Sequence, residues 1–469
     1  MLTVLLLGIG GLLVTFILTF AVMPRLIAFM RSRNIVGVDV HKLNKPEVAE
    51  MGGVGLLVGV TGGCLFLFFG SGYIGLGFMD YRILVFLSVI LLVGLIGVVD
   101  DLKTLGPRIK PVLTAVASLP ILITSWIIAT LNLPLPLAFN PRPRLPFLGR
   151  VRLTYIYQLI IPFGIAIPAN AVNMLDVFNG VMPLTTILMF AAMLIVSLVL
   201  VTLGVPSAEL GILLSLTMIG ALLAYYYFNR YPARVFSGDT GSLFVGASLG
   251  ALAIIGQLEI VAIVAMLPAI MNAFYSLVSI GGFLERRQMK ARPTIFQKDG
   301  TLSAAQEKNA PLTLTRLVLA RGPLTEKRII QSLVILSFAS SMLAIMTNFL
   351  IPLDTMVYLI VWPLNLSIIL IPSLVVLVIY FFFRNKNYIG SRLAGLIGIM
   401  TCVWAVGMMG FALLDFLIEV PVPFWMDSAM TILRPMIGIV FMLAWLMIWH
   451  FATRLYFKYE SQQVTASKI

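Results

Sequence analysis

Apolar runs long enough to cross a bilayer recur from one end of this chain to the other. A helix rises about 1.5 Å per residue, so about 20 apolar residues cross a hydrocarbon core about 30 Å thick. Thirteen such runs lie near 2–23, 54–71, 83–99, 111–133, 153–172, 181–203, 208–228, 242–258, 259–284, 329–352, 355–383, 393–418 and 430–453. A tight turn at Gln257-Leu258-Glu259 joins the eighth to the ninth. Inside lipid every backbone polar group must be satisfied within the segment, and runs of this length do that as helices. The expected fold is an all-α polytopic membrane protein.

Composition agrees. Of 469 residues, 60% are hydrophobic and 11% charged, whereas a soluble domain carries about 25% charged residues. Disordered, collagen-like, disulfide-rich and ordinary soluble classes are excluded. Cys64 and Cys402 stand alone in apolar runs, so packing is their expected role. The first apolar run lacks a basic leader and reads as a span rather than a cleaved signal.

The net charge of +13 suggests nucleic acid on a soluble protein. Here its distribution gives another meaning. The loops 24–53, 100–110, 173–180, 229–241, 285–328, 384–392 and 454–469 hold 26 of the 32 Lys and Arg and 12 of the 19 acids. By the positive-inside rule these loops are cytoplasmic, with the N-terminus outside. Nucleic acid is set aside. Arg142, Arg144, Arg150 and Arg152 sit on the opposite side, in a Pro-punctuated segment that reads as a turn or short hairpin. No acid falls mid-span, which weighs against an ion-coupled transporter. An enzyme working at the cytoplasmic membrane face fits better.

Four polar loops carry candidate chemistry. Asp100 and Asp101 close the run ending at Val99. Carboxylates at the end of a span face an unfavourable helix dipole, so a compensating cation, a Mg²⁺ site or a tuned general base is implied. Lys103, Arg108 and Lys110 follow. Asn170, Asn173, Asp176 and Asn179 are spaced by three, so on a helical turn they share one face. Amides with an acid suit a hydrated cation, or a base and ribose. Gly238-Asp239-Thr240-Gly241-Ser242 reads as a turn opening a helix. Asp239 there is a metal-ligand candidate, its neighbours' N–H groups can hold phosphate, and an ordinary N-cap is the plainer alternative. Arg286, Arg287, Lys290 and Arg292 form a basic run suited to a pyrophosphate or to juxtamembrane anchoring. His41 and His450, the two histidines, read as surface and interfacial residues.

In this order, these loops resemble the polyprenyl-phosphate N-acetylhexosamine-1-phosphate transferases. The Asp100-Asp101 pair with Lys110, the Asn170 to Gly180 run, and Tyr231-Pro232-Ala233-Arg234-Val235-Phe236-Ser237-Gly238-Asp239-Thr240 carry the likeness. The last motif and Phe274-Tyr275-Ser276-Leu277 look most like the eukaryotic and archaeal branch, whereas Asp176 fits the bacterial pattern better. The resemblance covers residues 1–352, a ten-span core, and leaves 353–469 as about three additional C-terminal spans.

The family implies transfer of a sugar-1-phosphate, chiefly N-acetylglucosamine-1-phosphate, from a UDP-sugar to polyprenyl or dolichyl phosphate. UMP is released, and Mg²⁺, with Mn²⁺ as the alternative, is the implied ion. Carried over by position, Asn173 and Asp239 engage metal and pyrophosphate. Asp100 and Asp101 adjoin the reacting phosphates, Lys110 binds phosphate, Asn179 lines a uridine pocket and Glu50 lies near the ribose. Asn170 and Asp176 join the substrate-binding set. Gln288-Met289-Lys290 stands where the eukaryotic branch has Arg-His-Arg, which moves the arginine role to Arg287 or Arg292 beside Lys290. The family also implies a homodimer. A transporter or flippase for a lipid-linked or anionic substrate is the competing reading. A membrane scaffold without catalysis is a third reading, and it leaves the ordered Asp and Asn loops unexplained.

Overall fold

The computed structural model describes residues 1–73, 80–131, 144–145, 149–150, 154–205, 207–280, 282, 291–307, 309–351, 389–419, 440–441 and 444–460. The helices are α1 Leu2–Ser32, α2 Gly53–Tyr73, α3 Tyr81–Lys103, α4 Ile109–Val116 and α5 Leu119–Leu131. Next come α6 Thr154–Leu175, α7 Val181–Thr202, α8 Ala208–Asn229, α9 Gly238–Gly256, α10 Glu259–Ala265 and α11 Leu267–Ile280. The short α12 Leu314–Val318 precedes α13 Glu326–Asn348, and a further helix spans Ile389–Glu419. Three two-stranded hairpins decorate the bundle: β1 Val36–Val38 with β2 Glu47–Ala49, β3 Arg144–Leu145 with β4 Gly149–Arg150, and β5 Thr294–Phe296 with β6 Leu302–Ala304. The β3–β4 pair is the hairpin expected between the Arg residues.

Ten described helices are long and apolar enough to cross a membrane, and the α10–α11 pair makes an eleventh if counted as one span. The protein is an integral membrane protein of the polytopic all-α class. The expected span 355–383 and much of 430–453 lie outside the described residues.

Two expected spans are interrupted, the first while still forming one of the ten candidate spans. The run 111–133 divides into α4 and α5 at Ala117-Ser118. Pro120 has no N–H to return to Val116, so the helix cannot continue unbroken. The run 259–284 bends by 68° between α10 and α11, where Pro268 has the same effect. The turn at Gln257 is confirmed, with Gln257 in a left-handed conformation at φ 56°.

The centre of the bundle is α8 and α9. Their most apolar stretches are 83% and 89% buried, against 33% for α1. α8 packs on α1 and α7, and α9 packs on α3 and α6. Small residues permit the close approach, as is usual between membrane helices. A Cβ on Gly97 would lie 2.5 Å from Thr240 Cα, so α3 and α9 touch backbone to backbone just where their polar ends meet. Cys64 is buried in the core as expected, while Cys402 lies on the exposed surface. The helix Ile389–Glu419 packs on α13, where Trp404 Nε1 donates to Thr347 Oγ1 at 2.8 Å.

Candidate active site

Four helix ends converge: the C-terminal ends of α3 and α6 and the N-terminal ends of α4 and α9. The α3 end supplies Asp100 and Asp101. Asp101 turns onto the start of α9. Its Oδ1 accepts the Asp239 N–H at 2.7 Å, and its Oδ2 accepts the Thr240 N–H at 2.9 Å and the Thr240 hydroxyl at 2.6 Å. The carboxylate that the α3 dipole disfavours is therefore stabilised by the unpaired N–H groups of another helix. The amides expected to hold phosphate are occupied by Asp101. Gly238 makes the contact fit, because it has φ +68° and a Cβ there would lie 2.4 Å from Asp101 Oδ2.

Asp100 points the other way. Its Oδ1 accepts the Leu105 N–H at 2.5 Å, and its Oδ2 pairs with the Lys110 ammonium. Lys110 also donates to Asp239 Oδ2 at 2.7 Å. One ammonium thus bridges two carboxylates that are 139 positions apart in the chain. Asn173 Nδ2 reaches Asp239 Oδ1 at 2.5 Å and Ser242 Oγ at 2.8 Å. Asn170 Nδ2 bonds Thr114 Oγ1 at 3.1 Å, tying α6 to the helix that carries Lys110.

Glu50 enters from the β1–β2 hairpin. Ala49 pairs with Val235, its carbonyl accepts the Phe236 N–H at 2.8 Å, and the Gly53 N–H reaches the Ser237 carbonyl at 2.9 Å. This stitching sets Glu50 beside the cluster. Burial raises its carboxyl above the usual carboxylate range, and the charges of Asp101 and Asp239 raise it further.

The Asn/Asp run is corrected. α6 ends at Leu175, so Asn170 and Asn173 share a helix face but Asp176 and Asn179 lie beyond it. The chain must turn there to enter α7, and Gly180, at φ +80°, makes the turn. Asp176 accepts the Ser237 hydroxyl. Asn179 Nδ2 donates to Asp39 Oδ2 at 3.0 Å. Asp39 belongs to a second cluster, in which Lys42 pairs with Asp39 at 3.1 Å and with Glu326, and lies 4.2 Å from the centre of the Tyr231 ring. His41 packs against Phe178, with ring centres 4.7 Å apart. Arg292 is exposed ahead of β5, while Arg287 and Lys290 lie outside the described residues.

Several residues matter that their spacing did not single out. Asn229 Oδ1 accepts the Gly180 N–H at 3.0 Å, and its Nδ2 donates to the Val235 carbonyl at 2.8 Å, so it holds two site loops together. Asn272 Nδ2 donates to the carbonyl of Met174, next to Asn173, at 2.8 Å. The usable signal was an amide within an apolar run, since a buried amide must find partners.

Asp239 and Asn173 place a carboxylate and an amide side by side at the cluster, while both Asp101 oxygens are taken by the α9 terminus. Among the described residues no group of three His, Cys, Asp or Glu forms a metal cage, and Lys110 pairs with both Asp100 and Asp239. One carboxylate and one amide fit Mg²⁺, which keeps waters and completes its shell with substrate phosphates. The site is thus a cluster of carboxylates and amides bridged by one ammonium.

Comparison with known proteins agrees with this chemistry. The profile of glycosyl transferase family 4 matches residues 83–257, which include Asp100, Asp101, Lys110, Asn173 and Asp239. A Saccharolobus solfataricus protein provisionally named UDP-N-acetylglucosamine–dolichyl-phosphate N-acetylglucosaminephosphotransferase is 26% identical over 68% of this chain and 89% of its own length. A Methanocaldococcus jannaschii protein provisionally named a glycosyltransferase is 30% identical over 66% of this chain and 87% of its own. The phospho-N-acetylmuramoyl-pentapeptide-transferase of Streptococcus thermophilus is 32% identical over 52% of this chain and 71% of its own. The chain belongs to glycosyl transferase family 4, as a polyprenyl-phosphate sugar-1-phosphate transferase. Its substrates are accordingly a sugar nucleotide and a polyprenyl phosphate in the membrane.

Proposed function

We propose that this transferase moves N-acetylglucosamine-1-phosphate from a UDP-sugar to dolichyl or a related polyprenyl phosphate at the cytoplasmic face. An oxygen of the lipid phosphate attacks the β-phosphorus of the nucleotide sugar. The bond from that phosphorus to the UMP oxygen breaks, and UMP leaves with the electron pair. The lipid phosphate has a second pKa near about 6, so it is largely dianionic at neutral pH and needs no strong base. That favours direct attack over an aspartyl intermediate.

The observation that carries this reading is Lys110 between Asp100 and Asp239. The ammonium can turn to incoming phosphate while the two carboxylates fix its position. Asp239 and Asn173 are the residues to hold Mg²⁺, whose charge would offset the repulsion among the phosphates. Asp101 keeps Asp239 in place through the α9 terminus. Glu50 flanks the cluster, in keeping with a nucleoside-binding role, and Asn179 sits apart with Asp39.

The test is UMP release from UDP-GlcNAc and polyprenyl phosphate by purified protein in detergent, with the lipid product identified by mass. Asp239→Ala should abolish release while the protein stays folded. EDTA should silence the wild type, and Mg²⁺ or Mn²⁺ should restore it. Turnover that is indifferent to chelation would sink the metal assignment. A screen of other UDP-sugars decides the sugar.

A further inference from the structure

Residues 444–460 form a helix that brings the C-terminal part of the chain back to the loop between α11 and α13. Trp449, Thr453, Phe457 and Glu460 do the docking, and their spacing places them on one stripe. Trp449 is fully buried, with its ring centre 6.1 Å from that of Tyr275 on α11. The Tyr275 hydroxyl is hydrogen-bonded to Thr453. Glu460, only 4% exposed, accepts Arg321 Nε at 2.7 Å and Nη2 at 2.8 Å. This two-pronged geometry is the stronger form of an arginine–carboxylate pair.

Phe457 meets a more unusual partner. Arg316 is buried and donates to the carbonyls of Ala305 at 2.9 Å, Glu307 at 3.0 Å, Ala310 at 2.5 Å and Pro311 at 3.4 Å. It organises the loop from within, and these acceptors are neutral. Burial lowers its pKa, yet a guanidinium remains charged at neutral pH. The Phe457 ring lies 4.7 Å from that guanidinium and offers its negative π face.

The loop is wired to the active site. The Leu314 N–H donates to Asn272 Oδ1 at 2.9 Å, and Asn272 Nδ2 donates to the Met174 carbonyl at 2.8 Å, one residue from Asn173. The Leu312 N–H reaches Ser279 Oγ at 2.9 Å.

We propose that the C-terminal helix is a positioning clamp for the donor site. Phe457 and Glu460 act through Arg316 and Arg321, and Thr453 and Trp449 act through Tyr275. The family profile matches residues 83–257, so the clamp is contributed from outside the matched segment. This inference rests on the transferase reading above.

The test uses the full chain with Arg321→Glu, Glu460→Arg and the double reversal, alongside Phe457→Leu and Phe457→Tyr. In the single reversals and Phe457→Leu, KM for UDP-GlcNAc should rise about three- to tenfold, with kcat within about twofold. The double reversal and Phe457→Tyr should return KM toward wild type. Limited trypsin digestion after Arg316 should quicken in the same impaired variants, a readout that needs no activity. Unchanged KM together with unchanged cleavage overturns the clamp, and so does a loss confined to kcat without rescue. If the wild type releases no UMP, the functional reading fails and the donor-site clamp with it, whereas UMP release with KM and cleavage unchanged in the variants overturns the clamp alone.

Discussion

Asp101 and Thr240 join two membrane helices end to start: Asp101 Oδ2 accepts both the N–H of Thr240, at 2.9 Å, and its hydroxyl, at 2.6 Å. An acid at the C-terminal end of one helix becomes the N-terminal cap of another. Within the paired aspartates this divides the labour. Asp101 positions Asp239, while Asp100 faces the Lys110 ammonium.

Asp101→Ala should therefore lose stability and turnover together. Removal of a cap costs about 0.5–2 kcal/mol, readable as a lower Tm in detergent. Asp101→Asn keeps one acceptor oxygen and should fall between. An unchanged Tm with turnover lost would move Asp101 into contact with substrate.

Lys110→Met should leave Asp100 and Asp239 facing each other without a cation. Turnover should fall by about 10²-fold or more, the scale of losing one group that stabilises charge in the transition state. Lys110→Arg should recover only part, because a planar guanidinium is a poor substitute for a compact ammonium between two carboxylates. Steady-state UMP release measures both. Full activity in Lys110→Met would remove the lysine from the phosphate path.

Gly238→Ala should be costly for a substitution this small. The residue has φ +68°, and the new Cβ would lie 2.4 Å from Asp101 Oδ2. The left-handed backbone alone costs a non-glycine residue about 1–2 kcal/mol, and the contact displaces the cap as well. Thermal unfolding and turnover should both worsen, and a variant with wild-type values would contradict the packing.

Glu50 sets a pH dependence. Burial and the nearby carboxylates raise its pKa in the folded protein. The folded state then favours the protonated group. Its contribution to stability is full below the unfolded value, near about 4.3, and is lost as pH rises through the folded value. In metal-free protein, Glu50→Gln should lose less stability than wild type as pH rises above the ordinary glutamate range. Unfolding midpoints across that range decide the matter, with parallel curves counting against it.

Much of this was legible in the sequence because it is local. Span length follows from apolar runs, and the turn at Gln257 follows from the polar break between two of them. The charged loops could be assigned to one side, and the order of Asp100-Asp101, Asn173 and Asp239 pointed to phosphate chemistry. The shared face expected for Asn170 to Asn179 extended too far, since nothing in a spacing of three says where the helix stops. Pro120 and Pro268 are plain in the sequence, but hydropathy alone does not show that each removes a backbone donor where its helix is interrupted.

The sequence by itself determined the membrane class, the apolar spans and the residue types available for chemistry, because each depends on composition over one or two turns of chain. Only the tertiary structure decided that Asp101 caps Thr240, that Lys110 bridges Asp100 and Asp239, and that the C-terminal helix reaches Arg316 and Arg321. Apart from Lys110 with Asp100, those pairings join residues more than 100 positions apart, and no local preference encodes them. They follow from α3, α4, α6 and α9 packing so that their polar ends coincide, where carboxylates, amides and one ammonium must satisfy one another away from water.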